Sequence, residues 1–344
     1  MENIVLSIII PTRNRSQTLK FALESVKQSM SLIPHELIIA SNGDSLEGDL
    51  LGIPTELLDS ARIVRSETRL SMGENWRFGF MYARGNWVHI MGDDDVLIIR
   101  NPEKVNEILK RDDIDGLVFR FGTFRWAVDS IGKYTQNSFW EPVGTLEVEK
   151  IEPVMSDSKA WEELHPRSYP NGTGSSLIRR KYLDNLECKE ILFAAVSPDW
   201  FTGAYFAFSN SVYLKCDLLW SSIGAHPESS IYQMYNPSSI ISKKEAKVRK
   251  FRIHKSLSSP DGTFPTTWLI RLDSIIRARE SLGLNTSISQ YKLIKNALDT
   301  TPRYVFRVAR QLMGDKSSRI PITILLLLPI FAKSLWKKLN LSRF

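Results

Sequence analysis

Trp87-Val88-His89-Ile90-Met91-Gly92-Asp93-Asp94-Asp95 is the stretch from which the rest of the chain is read. Trp87–Met91 has the composition of a short buried strand, bounded by Gly85-Asn86 before it and Gly92 after it. It runs directly into three adjacent carboxylates. Charges of one sign so close repel one another, and the arrangement is favoured mainly where a hard cation is bound. In an open α/β sheet, ligands bind outside the carboxyl ends of the strands, where these acids would sit. A solvated acidic turn is the plainer reading of three acids, and the apolar strand in front of them counts against it.

Toward the N-terminus, Leu6–Ile10 is another apolar run, ending at Pro11 as a buried parallel strand would. Ser16 is placed to N-cap a helix whose Leu19, Ala22, Leu23 and Val26 share one face. Leu37–Ala40 reads as a second strand, stopped by the turn formers Ser41-Asn42-Gly43-Asp44. Arg62–Val64 reads as a third strand, and Glu74–Ala83 as the helix that leads back to Trp87. Toward the C-terminus, Pro102 suits the first turn of a helix to Lys110, and Gly116–Phe121 is strand again. This β-α-β-β-α-β-α-β order predicts an α/β fold with a doubly wound, mostly parallel sheet. Residues 123–174 are rich in aromatics and turn formers without a clear period, and read as long functional loops with some strand. Helical patterns return near Arg179–Leu186, from Ser197-Pro198, and at Thr266–Ser281, Ser289–Leu298 and Pro302–Met313.

The 344 residues suffice for one large α/β domain with an appendage, and 43% hydrophobic with 24% charged residues is the composition of a globular chain. No basic segment followed by a long apolar run opens the chain, so no secretory signal is expected. Two cysteines, Cys188 and Cys216, are too few for a metal cluster or a disulfide framework and point to a reducing, cytoplasmic setting. The net charge of +7 is spread unevenly: from Thr301 onward nine Lys or Arg face one acid, Asp315, so the tail carries +8 and the rest −1. Within that tail Ile320–Ala332 is uncharged but only 13 residues long, and Pro321 and Pro329 interrupt it. Lys333, Trp336, Lys337, Lys338 and Arg343 follow. Too short to span a bilayer, residues 320–344 are expected to lie on an anionic cytoplasmic membrane face, with packing against the catalytic body as the plainer alternative. Long aliphatic runs between the charges argue against a nucleic-acid partner.

Four segments then carry a family resemblance. They are Ser7-Ile8-Ile9-Ile10-Pro11-Thr12-Arg13-Asn14, Glu36-Leu37-Ile38-Ile39-Ala40-Ser41-Asn42-Gly43-Asp44, Leu70-Ser71-Met72-Gly73-Glu74-Asn75-Trp76, and Ala83-Arg84-Gly85-Asn86-Trp87-Val88 leading into the acids. In that order and at that spacing the chain resembles the family 2 inverting glycosyltransferases of the GT-A fold, over roughly residues 4–255. The resemblance implies a GT-A catalytic domain over residues 1–260 and a helical, basic extension over 261–344. It implies metal-dependent transfer of a sugar from a nucleoside-diphosphate sugar, a UDP-sugar first among them, to a hydroxyl of a glycan or lipid-linked acceptor. The setting would be assembly of a cell-surface polysaccharide or lipid-linked glycan.

Residue by residue, the resemblance implies that Pro11, Thr12 and Arg13 hold base and ribose, with Asn75 and Asp94 in the same nucleotide-sugar site. Asp93 would meet the ribose, and Asp95 would ligate a Mn²⁺ or Mg²⁺ ion bridging the diphosphate. Where the family has an Asp that contacts the base, this chain has Ser41, which leaves Asn42 or Asp44 to take that contact. Gly172 and Gly174, in Asn171-Gly172-Thr173-Gly174-Ser175-Ser176, match the acceptor-side loop. Asp199, after the run Ile191–Val196, matches the general base, and a helix N-terminus would favour its ionised form. Trp200 would line the acceptor side, and His226, with His254 as its rival, would be a further metal ligand. A sugar-phosphate nucleotidyltransferase would carry a Gly-rich loop where this chain has Pro11-Thr12-Arg13-Asn14. An inactive, membrane-attached relative acting as a scaffold would not need Asp93, Asp95 and Asp199 together.

Overall fold

The computed structural model describes residues 4–128, 134–140, 154–155, 169–181, 197–225 and 267–284. Strands β1 (Leu6–Thr12), β2 (His35–Ser41), β3 (Ala61–Arg65) and β4 (Trp87–Ile90) pair in parallel in the order β3-β2-β1-β4. The apolar runs of β1, β2 and β4 are continuous because both faces are covered, while the edge strand β3 buries only Val64. Ile8 and Ile10 face a cluster with Leu19, Ala22, Leu23 and Val26 of α1 (Ser16–Ser29). Ile9, between them, turns to a second cluster with Phe80 of α4 (Met72–Phe80). Each such side chain contributes roughly 1.5–3 kcal/mol by leaving water.

Helix starts follow local chemistry, with two corrections. Ser16 is the first helical residue of α1, and Arg15 occupies the cap position without a side-chain cap bond. Ser71 caps α4 through a reciprocal capping box with Glu74, which starts that helix two residues before the predicted Glu74. Ser45 caps the short α2 (Leu46–Leu50), α3 (Thr55–Leu58) follows it, and Asn101 caps α5 (Pro102–Leu109) with Pro102 in its first turn.

The second half of the sheet is mixed. β9 (Ser176–Arg179) lies antiparallel between β4 and β6 (Gly116–Val128). β6 runs parallel to β10 (Val212–Ala225), and β10 meets β5 (Val96–Leu97) antiparallel. β7 (Tyr134–Trp140) pairs with β6, and β8 (Val154–Met155) with β10. The main order is β3-β2-β1-β4-β9-β6-β10-β5, and its two longest ladders, β6–β10 and β1–β2, are parallel.

That order forces a curl. β4 and β5 stand four strand positions apart, about 19 Å in a flat sheet. Ile90 and Val96 are only six residues apart, a reach of about 20 Å fully stretched, and the segment between them turns, with Asp95 N–H bonded to the Gly92 carbonyl. The sheet therefore bends round, helped by register breaks in β10 between Cys216 and Leu219 and between Leu219 and Ser221. β5 comes to rest over α1, bonded to the Ser25 and Ser29 hydroxyls. The end of β10 arrives beside the acidic turn.

Arg179, expected to open a helix, instead ends β9 and pairs with Trp87, because Leu177 and Ile178 are buried between β4 and β6. Residues 182–186 of that predicted helix lie outside the described residues. α6 (Pro198–Phe208) starts as expected and is buried along almost its whole length, and α7 (Thr267–Ser281), within the expected 261–344 extension, packs on it. The predicted helices Ser289–Leu298 and Pro302–Met313 and the segment 320–344 lie outside the described residues. Among the described residues no helix is long and apolar enough to cross a membrane.

Candidate active site

Strand ends from both halves of the sheet meet at Asp93–Asp95. Thr12, the last residue of β1, donates its hydroxyl to Asp93 Oδ2 at 2.8 Å, and Arg15 Nη1 donates to Asp93 Oδ1 at 3.0 Å. The same nitrogen lies 3.5 Å from Asp94 Oδ2. Asp95 takes backbone amides, Gly92 N–H on Oδ2 at 3.2 Å and Gly224 N–H of β10 on Oδ1 at 2.9 Å. Trp126 of β6 donates its indole N–H to the Asp94 carbonyl at 2.8 Å. A Cβ at Gly224 would collide with that carbonyl, so only glycine lets β10 approach so closely.

The three carboxylates are 5%, 8% and 8% exposed. Burial first, then the charges of Asp95 and Asp93, push the Asp94 carboxyl well above the ordinary range, and Arg15 offsets only part of this. Asp94 Oδ2 is buried and accepts no hydrogen bond. Buried negative charge in excess, on hard oxygen donors, fits a divalent cation of the Mg²⁺ or Mn²⁺ kind. Among the described residues no three His, Cys, Asp or Glu side chains cage a metal by themselves. Mg²⁺ ordinarily takes one or two carboxylates and completes its shell with water and substrate phosphates, so the acids present suffice.

Of the residues expected to hold base and ribose, Pro11 and Arg13 are half-buried at the end of β1. Asn42 is buried and clasps the Leu70 backbone in both directions, Nδ2 to the carbonyl and N–H to Oδ1, each at 2.9 Å. Asp44 is exposed and accepts from Asn14 Nδ2 at 3.1 Å. Asn75 of α4 donates to the Ala40 carbonyl at 3.0 Å, and its Oδ1 is buried without a partner. That orphaned acceptor sits at the carboxyl end of β2, where a ligand donor would satisfy it.

Gly172 and Gly174, expected on the acceptor side, have φ of +74° and +59°, the left-handed region that favours glycine. Their loop lies against the end of β4: Ile90 N–H bonds to the Gly172 carbonyl at 2.7 Å, and the Ser221 hydroxyl to the Gly174 carbonyl at 2.6 Å. The structure thus places this loop next to the acidic turn. Asp199 is half-exposed in the first turn of α6, its Oδ1 accepting the Ser197 hydroxyl at 2.5 Å. Phe206, near the other end of α6, meets Tyr213 at the start of β10 and flanks Gly116 at the start of β6. The helix therefore carries Asp199 and the half-buried Trp200 away from the amino ends of those strands. His226 and its rival His254 lie outside the described residues.

Sequence reasoning missed Arg15, Trp126 and Gly224, which meet the acidic turn. Arg15, a cation two residues after Arg13 in the strand-end loop, was the one with a legible signal. Trp126 and Gly224 reach the acids across more than thirty residues of chain, which no local pattern encodes.

Residues 7–186, more than half of the chain, match the family described as Glycosyl transferase family 2, and the chain belongs to that family. Its large curled sheet is of the GT-A type. An uncharacterized glycosyltransferase of Haemophilus influenzae is 27% identical over 107 residues, covering 31% of this chain and 35% of that protein. The match therefore spans about a third of the curated relative's length. The S. aureus TarS fragment 1–349 in complex with UDP-GlcNAc gives a TM-score of 0.50 at 13% identity, covering 95% of this chain and 80% of that one. At that identity the likeness speaks for the fold.

Proposed function

We propose that the protein transfers a sugar from a nucleoside-diphosphate donor, a UDP-sugar in the first instance, to an acceptor hydroxyl with inversion at the anomeric carbon. The observation that carries this reading is the acidic turn: three buried carboxylates at the carboxyl edge of the sheet, faced by Arg15 and ringed by strand-end loops. Asp95 would hold a Mn²⁺ or Mg²⁺ ion with Asp94 beside it, and the fixed carboxylate of Asp93 would accept a ribose hydroxyl. Pro11, Thr12, Arg13, Asn42 and Asp44 would wall the base and ribose pocket, and Asn75 Oδ1 would accept a donor from the nucleotide. The ion, when bound, supplies the positive charge that stabilises the departing nucleoside diphosphate.

Asp199 would take the proton from the attacking hydroxyl, its carboxylate oriented by Ser197. Gly172 and Gly174 would admit the acceptor close to backbone, with Trp200 as a flat wall. The UDP-GlcNAc held by the TarS fragment supports a nucleotide-sugar donor. The acceptor would be a glycan or lipid-linked glycan at the cytoplasmic membrane face, reached through the basic tail. The test presents UDP-, GDP- and dTDP-sugars with Mn²⁺ or Mg²⁺, following binding, slow hydrolysis and the anomer released by NMR. Cation-dependent binding of a UDP-sugar with inverted product is expected, and no cation-dependent binding across the panel would contradict the reading.

A further inference from the structure

Asp49 belongs to α2, the five-residue helix after β2, yet it has no exposed surface. Its carboxylate is turned back onto the strand ends. Oδ2 accepts the Ser41 hydroxyl at 2.6 Å and the Gly43 amide at 2.9 Å, and Oδ1 accepts the Asn14 amide at 2.5 Å. One side chain therefore joins the loop after β2 to the loop after β1. A second clasp runs beside it: Asn14 Nδ2 donates to Asp44 Oδ2, and the Asp44 amide donates to Asn14 Oδ1, both at 3.1 Å. Arg65, at the end of β3, reaches the Ser41 hydroxyl and the Gly43 and Asp44 carbonyls.

Asn14, gripped in this way, has φ +55°, a left-handed conformation that a non-glycine residue holds when its surroundings impose it. The next residue is Arg15, whose guanidinium meets Asp93 and Asp94. Two residues earlier is Thr12, which donates to Asp93. The turn at Asn14 thus sets where Arg15 points relative to Thr12, the strand-held donor to Asp93. Burying a carboxylate in a short surface helix carries a desolvation cost that an apolar side chain would not. That favours a role in geometry over a role in filling space.

We infer that Asp49 is a positioning residue of the donor site, fixing the Asn14 turn so that Thr12 and Arg15 present Asp93 and Asp94 correctly to the nucleotide. The Ser41–Asp44 wall is held by the same carboxylate. The inference rests on the nucleotide-sugar reading above, and its test separates the two. UDP affinity with Mn²⁺ present, and melting temperature, are measured for wild type, Asp49→Ala, Asp49→Asn, Arg15→Gln and the double variant Asp49→Ala with Arg15→Gln. In folded Asp49→Ala, UDP binding is expected to weaken roughly tenfold or more, as small misplacements at a preorganised site do. Asp49→Asn, which keeps one acceptor oxygen for the Asn14 amide, should recover part of the loss. The double variant should lose less than the two single losses combined, since both act through one turn. Unchanged UDP affinity in folded Asp49→Ala overturns the inference, as it does in Asp49→Asn should the alanine variant not fold. A wild type that binds none of UDP, GDP and dTDP removes the nucleotide reading, and this inference with it.

Discussion

Single oxygens and nitrogens decide the chemistry proposed for this protein. The Ser197 hydroxyl, 2.5 Å from Asp199 Oδ1, holds that carboxylate on the first turn of α6. Losing a general base typically costs on the order of 10²–10⁴ in rate and spares binding, so Asp199→Asn should keep nucleotide affinity and lose transfer. A variant that still transfers at more than about a tenth of the wild-type rate would move the base elsewhere. His89 answers to pH instead. It is fully buried, with Nδ1 bonded to the Ser176 carbonyl at 3.1 Å and Nε2 accepting the Trp220 indole N–H at 3.3 Å. Burial pushes its pKa down to about 4. The unfolded chain, near 6.5, takes up a proton that the folded one refuses, so stability is full above 6.5 and falls as pH drops toward 4, by about 3 kcal/mol. Glu36 adds a second loss lower down. Burial raises its pKa, but hydrogen bonds from the Ser7 hydroxyl and from the Arg84 backbone and side chain outweigh that and hold it below 4.5. Its contribution is therefore present above 4.5 and lost as pH falls through the folded value. Urea unfolding at pH 7 and pH 4.5 should show the drop, and His89→Gln should flatten it. Equal stability of the wild type at both pH values would contradict this.

Among the elements, the amide of Gly224 shows how a strand end can serve a distant turn. Gly224→Ala should push β10 off the Asp94 carbonyl, lowering both the melting temperature and donor affinity, and an alanine variant with wild-type values of both would refute that role. β1, β2 and β4 were legible because each is a buried apolar run closed by a turn former, and α5 because Asn101-Pro102 announces it. The Ser71-x-x-Glu74 box was equally readable and marks the true start of α4. β10 was hidden by its own bulges, which break the alternation of Leu214, Lys215, Cys216, Asp217 and Leu218 into the buried run Leu218–Ser222. β9 was hidden because four residues buried on both faces carry no period at all. At the site, the acids and strand-end loops were visible in the letters. The Gly224 amide that β10 brings to Asp95 depends on the curl of the whole sheet, and the Asp49 clasp on the pairing of β1 with β2, so neither is local.

For the molecule as a whole, that curl places one half of the sheet over the other's acidic edge, and the charge of the chain divides as unevenly as its structure. Residues from Thr301 carry +8 beside a body of −1. Each basic residue near an anionic surface contributes roughly 1 kcal/mol, so the full chain should sediment with anionic liposomes and a chain ending at Met313 should not. Equal partitioning of the two would show the tail to have another role. The central claim is that the acidic turn binds a nucleotide through a cation, and calorimetric titration of UDP into wild type, Asp93→Asn and Asp95→Asn, with and without Mn²⁺, tests it most directly. The account predicts binding that requires Mn²⁺ in the wild type, loss of that cation-dependent binding in Asp95→Asn, and weakened affinity in Asp93→Asn. UDP binding indifferent to Mn²⁺ and unchanged in both variants would contradict it.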